Sequence, residues 1–400
     1  MANQHPTRRS VLAAALAFGM VAPLASSVAR ANAPAAVDAH VMASLDKALA
    51  FLKSQQKPDG GWQGEKDPPA ITALVLKTFA QDPKTGPSAD FVKKGYAKLI
   101  SYQLDNGGIY QDVLANYNTS IALSALAASN DPALKPHVEK ALGYLKGLQF
   151  TDKTPADPKG TKVAGPDHVW FGGFGYGRHG RPDMSNAQMA IEALQNAGLS
   201  KDDPAFQNAL KFITRSQNLS EKNDQKFAGD DGGFVYSPHN DGESQAGVIM
   251  GPDGKRIVRS YGSMTYAGLK SMIYAGLTKD DPRVKAAWAW IGKNWTLNAN
   301  PGMQANDPKL GDMTRYGLYY YYNTMARALN VYDEPVITDA KGAKHDWRKE
   351  LTDKLVSLQN PDGSWAGEKK WFEDNPVLAT AYVALALQEI QKDLKEHPAK

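Results

Sequence analysis

The sequence predicts an all-α fold, an (α/α)6 toroid built from six helical hairpins. Three observations lead to this fold: one unit recurs six times, helices of two kinds alternate within the units, and the first and last units are nearly identical. The chain of 400 residues is 42% hydrophobic and 22% charged, which is typical of a globular protein.

The repeating unit is a helix that ends in glutamine, a glycine-rich turn with an aromatic residue, and an apolar helix rich in small residues. The first copy, residues 49–62, ends in Asp-Gly-Gly-Trp, and the last copy, residues 355–365, ends in Asp-Gly-Ser-Trp. In the fifth copy Trp295 stands in the place of the glutamine. The four inner copies span residues 99–110, 142–176, 210–236 and 288–303.

The two helices of each unit have the patterns that two concentric layers require. Leu45, Leu49 and Leu52 form one apolar stripe with charged residues beside it, as in an outer amphipathic helix. Residues 71–80 carry one charge and residues 121–128 carry none, as in helices buried on every side. Neither end has a polar capping repeat, so the pattern favours a closed ring over an open solenoid.

The first residues predict a leader. Arg8 and Arg9 precede an apolar run, residues 11–22, that is too short to span a membrane. The order of residues around this pair resembles a twin-arginine signal, and small residues allow cleavage after Ala31 or Ala33. We therefore expect a signal peptide over residues 1–31, a single toroid domain over 38–395, and a periplasmic or extracellular location.

Composition removes several function classes. With no cysteine the chain forms no disulfide and no cysteine-ligated zinc site. The formal charge of +4 falls to +1 without the three arginines that precede Asn32, so no nucleic-acid partner is predicted. His168, His179 and His239 lack the spacing of metal ligands, and no metal or cofactor is predicted. No stretch after the leader is apolar enough to predict an integral membrane segment.

The Gln…Asp-Gly-Gly-Trp and Gln…Asp-Gly-Ser-Trp segments resemble the QW repeats of squalene-hopene cyclases and the related prenyltransferases, over residues 41–391. This resemblance implies inner helices whose N-terminal ends surround a cavity mouth. The Asp-rich segment that carries the cyclase acid corresponds to residues 183–187. Asp183 matches its first aspartate, but Ser185 replaces the central acid, and the prenyltransferase zinc site lacks its cysteine.

Long insertions at residues 151–169 and 237–259 mark the loops before the inner helices of repeats three and four. Asp183, Tyr261 and Tyr316 are the predicted catalytic residues, although Asp183 also fits an ordinary helix cap. Aromatic residues cluster in repeats three to five, where core packing accounts for part of them. The predicted ligand-binding residues are Asn186, Arg315, Trp170, Phe174, Tyr176, Tyr266 and Tyr319.

Two functions fit this pattern. One is a terpene-cyclase-like or prenyltransferase-like protein that holds a polyisoprenoid-like ligand in a central aromatic cavity and transforms it as an isomerase or transferase. The other is a periplasmic toroid that binds or cleaves a glycan, as a lyase does. A scaffold without catalysis is a third interpretation. The predicted partner is thus a small apolar or sugar ligand, and the fold alone does not choose between them.

Overall fold

The structure is a computed structural model that describes residues 25–154, 162–163, 165–177, 180–251, 254–306 and 311–397, with side chains from Val37 onward. Residues 1–24 of the predicted leader lie outside this part, and residues 25–31 belong to the first helix. The cleavage site and the bounds 38–395 stay predictions. No helix in the described part is both long and apolar enough to cross a membrane.

The described residues form twelve α-helices that alternate between an outer and an inner layer. The outer helices are α1 (Ala25–Ser54), α3 (Asp90–Ile100), α5 (Lys135–Leu148), α7 (Pro204–Arg215), α9 (Pro282–Lys293) and α11 (Trp347–Ser357). The inner helices are α2 (Ala70–Gln81), α4 (Ala115–Ala128), α6 (Met184–Asn196), α8 (Gly262–Tyr274), α10 (Leu318–Tyr332) and α12 (Pro376–Glu396). Short 3-10 turns span Pro132–Leu134 and Lys370–Phe372.

The inner helices form a closed ring. Each packs against the next in chain order, and α12 packs against α2 and also against α1. Most residues of α4 are buried on all its faces, whereas α3 buries one stripe that contains Val92, Tyr96 and Leu99. The predicted (α/α)6 toroid is therefore confirmed.

Two antiparallel hairpins decorate the ring. Strands β1 (Val248–Met250) and β2 (Arg256–Val258) pair within the insertion of repeat four. Strands β3 (Val336–Thr338) and β4 (Lys344–Asp346) pair between α10 and α11, at the opposite end of the toroid. The first hairpin therefore lies beside the N-terminal ends of the inner helices.

The repeated glutamine joins each turn to the next outer helix. Its side-chain amide donates to the carbonyl of the first turn glycine and to a carbonyl near the start of the next outer helix. In the degenerate repeat the Trp295 indole N–H donates instead to Glu350 of α11, over 3.0 Å. The glutamines in this position are Gln56, Gln103, Gln149, Gln217 and Gln359.

The same contact closes the ring. Gln359, in the last repeat, donates to the Ser44 carbonyl of α1 over 3.0 Å and accepts a hydrogen bond from the Ser44 hydroxyl. Gly363 follows with φ of +91°, and a Cβ there would lie 2.5 Å from the carbonyl oxygen of Lys47. Only glycine fits this approach, so the last turn docks on the first helix as each earlier turn docks on its successor.

Candidate functional site

The centre of the toroid is nearly filled. A narrow cavity of about 20 Å³ lies between the inner helices, room for about one water molecule. Polar and charged side chains line it, among them Lys77, Gln188, Glu192, Lys270 and Arg327. This space differs from the predicted central aromatic cavity, because charged, polar and aliphatic side chains line it and no aromatic ring does.

The charged cluster centres on Glu192 of α6. Its carboxylate accepts from Lys77 over 3.1 Å and from Lys270 over 2.6 Å, and it also pairs with Arg327. Burial alone would raise the pKa of Glu192, but Arg327, Lys270 and Lys77 hold it well below its usual value. The three cations lie in the C-terminal halves of inner helices, where the helix dipole favours positive charge. This cluster closes the floor of the ring.

Asp183 lies at the other end, the mouth, where it caps the N-terminus of α6. It is fully buried, and its two oxygens accept from the backbone N–H and the side-chain amide of Asn186, over 2.9 and 3.0 Å. Burial raises the pKa of Asp183 to about 6, because hydrogen bonds from Asn186 and the charge of Arg181 offset desolvation only in part. The carboxyl therefore changes charge near neutral pH.

A chain of tyrosine hydroxyls connects Asp183 to the surface. The Tyr236 side chain lowers the pKa of the Asp183 carboxyl, and the Tyr236 hydroxyl lies 2.9 Å from that of Tyr176. Burial raises the pKa of both tyrosines, so both hydroxyls stay protonated at neutral pH. Tyr176 is 43% exposed, whereas Asp183 has no exposed surface. The hydroxyls of Tyr236 and Tyr176 are thus candidates for a proton route between the buried carboxyl and solvent.

Asn116 and Tyr261 complete this cluster. The Asn116 amide donates to the carbonyl and the side-chain oxygen of Asn186, both over 3.1 Å. Tyr261 is buried, and the Asp183 charge adds to the effect of burial in raising its pKa. Of the predicted site residues, Asp183, Asn186, Tyr176 and Tyr261 are therefore brought together.

The other predicted residues lie elsewhere. Tyr316 packs edge-on against Trp371, with ring centroids 6.2 Å apart, and its neighbour Arg315 is exposed. The Trp170 indole donates to His239 over 3.2 Å within a small cluster under the loops of repeat three. Phe174, Tyr266 and Tyr319 are buried in the main core. His179 lies outside the described residues. Among the described residues, no group of three or more metal-ligating side chains is found.

Sequence reasoning missed Glu373. This buried side chain accepts from the backbone N–H groups of Tyr319 and Tyr320, over 3.2 and 2.7 Å, and so caps α10. Burial raises the pKa of Glu373 to about 7. Trp371 and Phe372 precede it in left-handed conformations that are rare for such residues. More than fifty positions separate Glu373 from the two residues whose N–H groups it accepts, so no local pattern signals this role.

A groove of about 870 Å³ opens on the mouth face beside the cluster around Asp183. Its lining comes from α5, from the turn before α4, and from Tyr176 and Gly177 before α6. Tyr110 and Tyr144 are stacked within its lining, with ring centroids 6.0 Å apart and planes inclined by 26°. The hydroxyl chain from Asp183 therefore reaches the groove at Tyr176.

No family model and no curated protein sequence matches the chain. Among solved structures it is similar to a variant of the type II terpene cyclase MstE from Scytonema in complex with geranylgeranyl dihydroxybenzoate. The identity is 16% and the TM-score 0.53, over 90% of this chain and 99% of that one. This likeness supports the class that the geometry defines, an α/α toroid.

Two toroids with other activities are equally similar. One is an α-amylase from Clostridium perfringens, 12% identical with a TM-score of 0.52, over 86% of this chain and 97% of that one. The other is a D-mannose isomerase, 12% identical with a TM-score of 0.55, over 88% and 97% of the two chains. At such identities the likeness defines the fold and leaves the chemistry to the site.

Proposed function

We propose that this protein binds a small hydroxyl-bearing molecule at the mouth of the toroid and exchanges protons with it. Asp183 stores the proton, Tyr236 relays it, and Tyr176 contacts the ligand. The observation that carries the proposal is the 2.9 Å contact between the hydroxyls of Tyr176 and Tyr236 beside a fully buried carboxyl. A general acid or base works best with a pKa near the working pH, and that of Asp183 is about 6.

The size of the two spaces supports the mouth over the centre. Ligand sites for small molecules usually measure about 300–1,000 Å³. The groove of about 870 Å³ lies in this range, whereas the central cavity of about 20 Å³ does not. The site therefore differs from the central chamber that the sequence resemblance implies.

The α-amylase and the D-mannose isomerase among the similar structures are named for sugar chemistry. Proton transfer to or from a hydroxyl-bearing substrate is a step that hydrolases, isomerases and lyases share. The twin-arginine pattern supports export of the protein to the periplasm or beyond, where a glycan or its fragments is a suitable substrate.

A polyisoprenoid-like ligand is a second candidate, favoured by the apolar surface of the mouth face. Most exposed large hydrophobic side chains in the described residues lie on segments that lead from an outer helix to the next inner helix. These are Leu104, Val113, Tyr176, Val248, Ile249, Met250, Ile257, Trp371 and Phe372. The similar Scytonema cyclase is bound to geranylgeranyl dihydroxybenzoate, an isoprenoid.

Native mass spectrometry of the exported protein tests the two candidates by identifying the molecule that co-purifies with it. Asp183→Asn and Tyr176→Phe should each weaken turnover or retention of that molecule at least tenfold without lowering the melting temperature by more than a few degrees. Asp203→Asn is the matched control, because Asp203 also caps a helix, but that helix is α7 of the outer layer. Equal effects of all three variants would leave Asp183 as a helix cap alone.

A further inference from the structure

We infer that the groove binds an extended, uncharged oligosaccharide along α5, with one end of the sugar chain at Tyr176. This inference rests on the proposed function and names its ligand. The groove has the volume of a ligand site, and five of its lining residues lie on α5 between Glu139 and Gly147, about 12 Å along the helix axis. An extended chain fits such a shape better than a single compact sugar.

The floor of the groove is open backbone. Gly143 and Gly147 lie one helical turn apart on α5, and no atom lies within 4 Å of the position that a Cβ would take at either. Glycine lowers the stability of a helix relative to alanine, so neither residue is favoured by α5 itself. Their shared effect is to let another molecule approach the helix backbone.

Aromatic rings and polar groups both line the groove. Tyr110 and Tyr144 are half-buried, and Tyr176 is the third tyrosine of the lining. A tyrosine offers an apolar ring face together with a polar hydroxyl. A sugar ring likewise has an apolar C–H face and a rim of hydroxyls, so this lining matches sugars better than a fully apolar chain.

The groove wall is joined to the proton relay. Leu114 stands at the start of α4 with φ of +58°, a left-handed conformation that costs free energy for leucine. Two residues later, the Asn116 backbone N–H donates to the Tyr176 carbonyl over 3.4 Å, and its side chain binds Asn186. The strained turn thus places the groove against the Asp183 cluster.

The charges of the lining favour an uncharged ligand. Asp112 and Glu139 contribute two negative charges, and Lys140 contributes one positive charge. All three are exposed side chains. A uronate chain would meet a net negative lining and be repelled. A neutral sugar chain would hydrogen-bond both to the carboxylates and to the lysine ammonium group.

Calorimetric titration of the full chain with cellohexaose, mannohexaose, maltohexaose and hexagalacturonate tests the inference. At least one neutral hexasaccharide should bind, and hexagalacturonate should bind at least tenfold more weakly. Gly147→Leu should weaken neutral binding at least tenfold while the melting temperature stays constant or rises. Gly147→Ala and Lys211→Leu, the latter on the exposed side of α7, are controls that should keep binding.

Failure of all three neutral hexasaccharides to bind, tighter binding of hexagalacturonate, or full binding by Gly147→Leu would each overturn the inference. The proposed function fails differently. If Gly147→Leu abolishes neutral binding but Asp183→Asn leaves turnover of the bound sugar and its pH profile unchanged, the groove stands and the proton relay does not. If Asp183→Asn abolishes turnover of a co-purified ligand that Gly147→Leu still binds, the proton relay stands and the sugar-binding groove does not.

Discussion

The hydroxyls of Tyr176 and Tyr236 lie 2.9 Å apart, although sixty positions separate these residues in the chain. One belongs to the turn before α6 and the other to the turn before α8. Ring closure brings consecutive turns side by side, so a buried acid in one repeat acquires a hydroxyl from the next. The closed ring thus sets the distance between the turns, and side chains of the turns supply the carboxyl and the hydroxyls.

The pH dependence of stability should report the buried state of Asp183. Its pKa rises from 3.8 to about 6 in the native state, so the native state binds the proton more tightly than the unfolded chain. Its contribution to stability is complete below pH 3.8 and is lost as the pH rises through about 6. This shift corresponds to about 3 kcal/mol.

Asp183→Asn removes this titration. We expect the free energy of unfolding of the variant, relative to wild type, to rise by up to about 3 kcal/mol between pH 4 and pH 7. Urea denaturation at intervals of one pH unit measures this difference. A constant difference across that range would show that Asp183 titrates in the native state as it does in the unfolded chain.

Glu373→Gln should behave in the same way over a higher pH window. Burial raises the pKa of Glu373 from 4.5 to about 7, so its stabilising contribution is full below pH 4.5 and is lost as the pH rises through about 7. The relative stability of the variant should climb by about 3 kcal/mol across that window. Glu396→Gln, at an exposed residue at the end of α12, removes the same kind of charge and is the control.

Ring closure makes the two chain ends interdependent. Gln359→Ala removes the amide that donates to Ser44 and Gly363 and should cost about 1–3 kcal/mol. Hydrogen exchange should then rise in α1 and α12 together. The control is Gln103→Ala, which removes the same pair of contacts between repeats two and three. If Gln359→Ala changes exchange in one terminal helix only, the first and last repeats are not coupled.

Trp365 anchors the last turn. Its ring is fully buried, and its indole N–H donates to the Leu355 carbonyl over 2.9 Å, as that of Trp62 does to Leu52 in the first repeat. Trp365→Ala should therefore cost about 3–5 kcal/mol in the free energy of unfolding. Chemical denaturation measures the loss, and a cost below about 1 kcal/mol would contradict the assigned packing.

The floor of the ring should be sensitive to one carboxylate. Glu192→Gln leaves Lys77, Lys270 and Arg327 buried with Glu389 as their remaining acid, and should cost about 3–5 kcal/mol. Asp46→Asn breaks a half-exposed pair with Lys84 and should cost about 0–1 kcal/mol. Urea denaturation of the two variants compares them, and equal costs would show that the floor is hydrated.

The fold was predictable because its information is local. Each unit carries its own turn glycine and its own pair of helix patterns, and Gln359 repeats the role of Gln56 in the first turn. Asp183 and Asn186 were predictable for the same reason, since a helix cap and its third residue are near in sequence. The filled centre was not, because Lys77 stands alone in an apolar segment and its partner Glu192 is two repeats away.

The residues that act on the site from other repeats could not be predicted from the sequence, for a related reason. Tyr236 and Glu373 act on groups in another repeat or across a long loop, and one sequence does not specify which turns meet side chain to side chain. Aromatic composition grouped Tyr176, at the groove, with Phe174 and Tyr266, in the core, and did not separate them.

A titration of Asp183 by carbon NMR tests the account most directly. With aspartate labelled at the carboxyl carbon, the Asp183 signal is assigned as the one missing from Asp183→Asn. In wild type it should titrate near pH 6, and in Tyr236→Phe it should titrate higher, because the Tyr236 side chain lowers the pKa of this carboxyl. A signal that titrates near pH 4 in both proteins would contradict the buried acid and its relay.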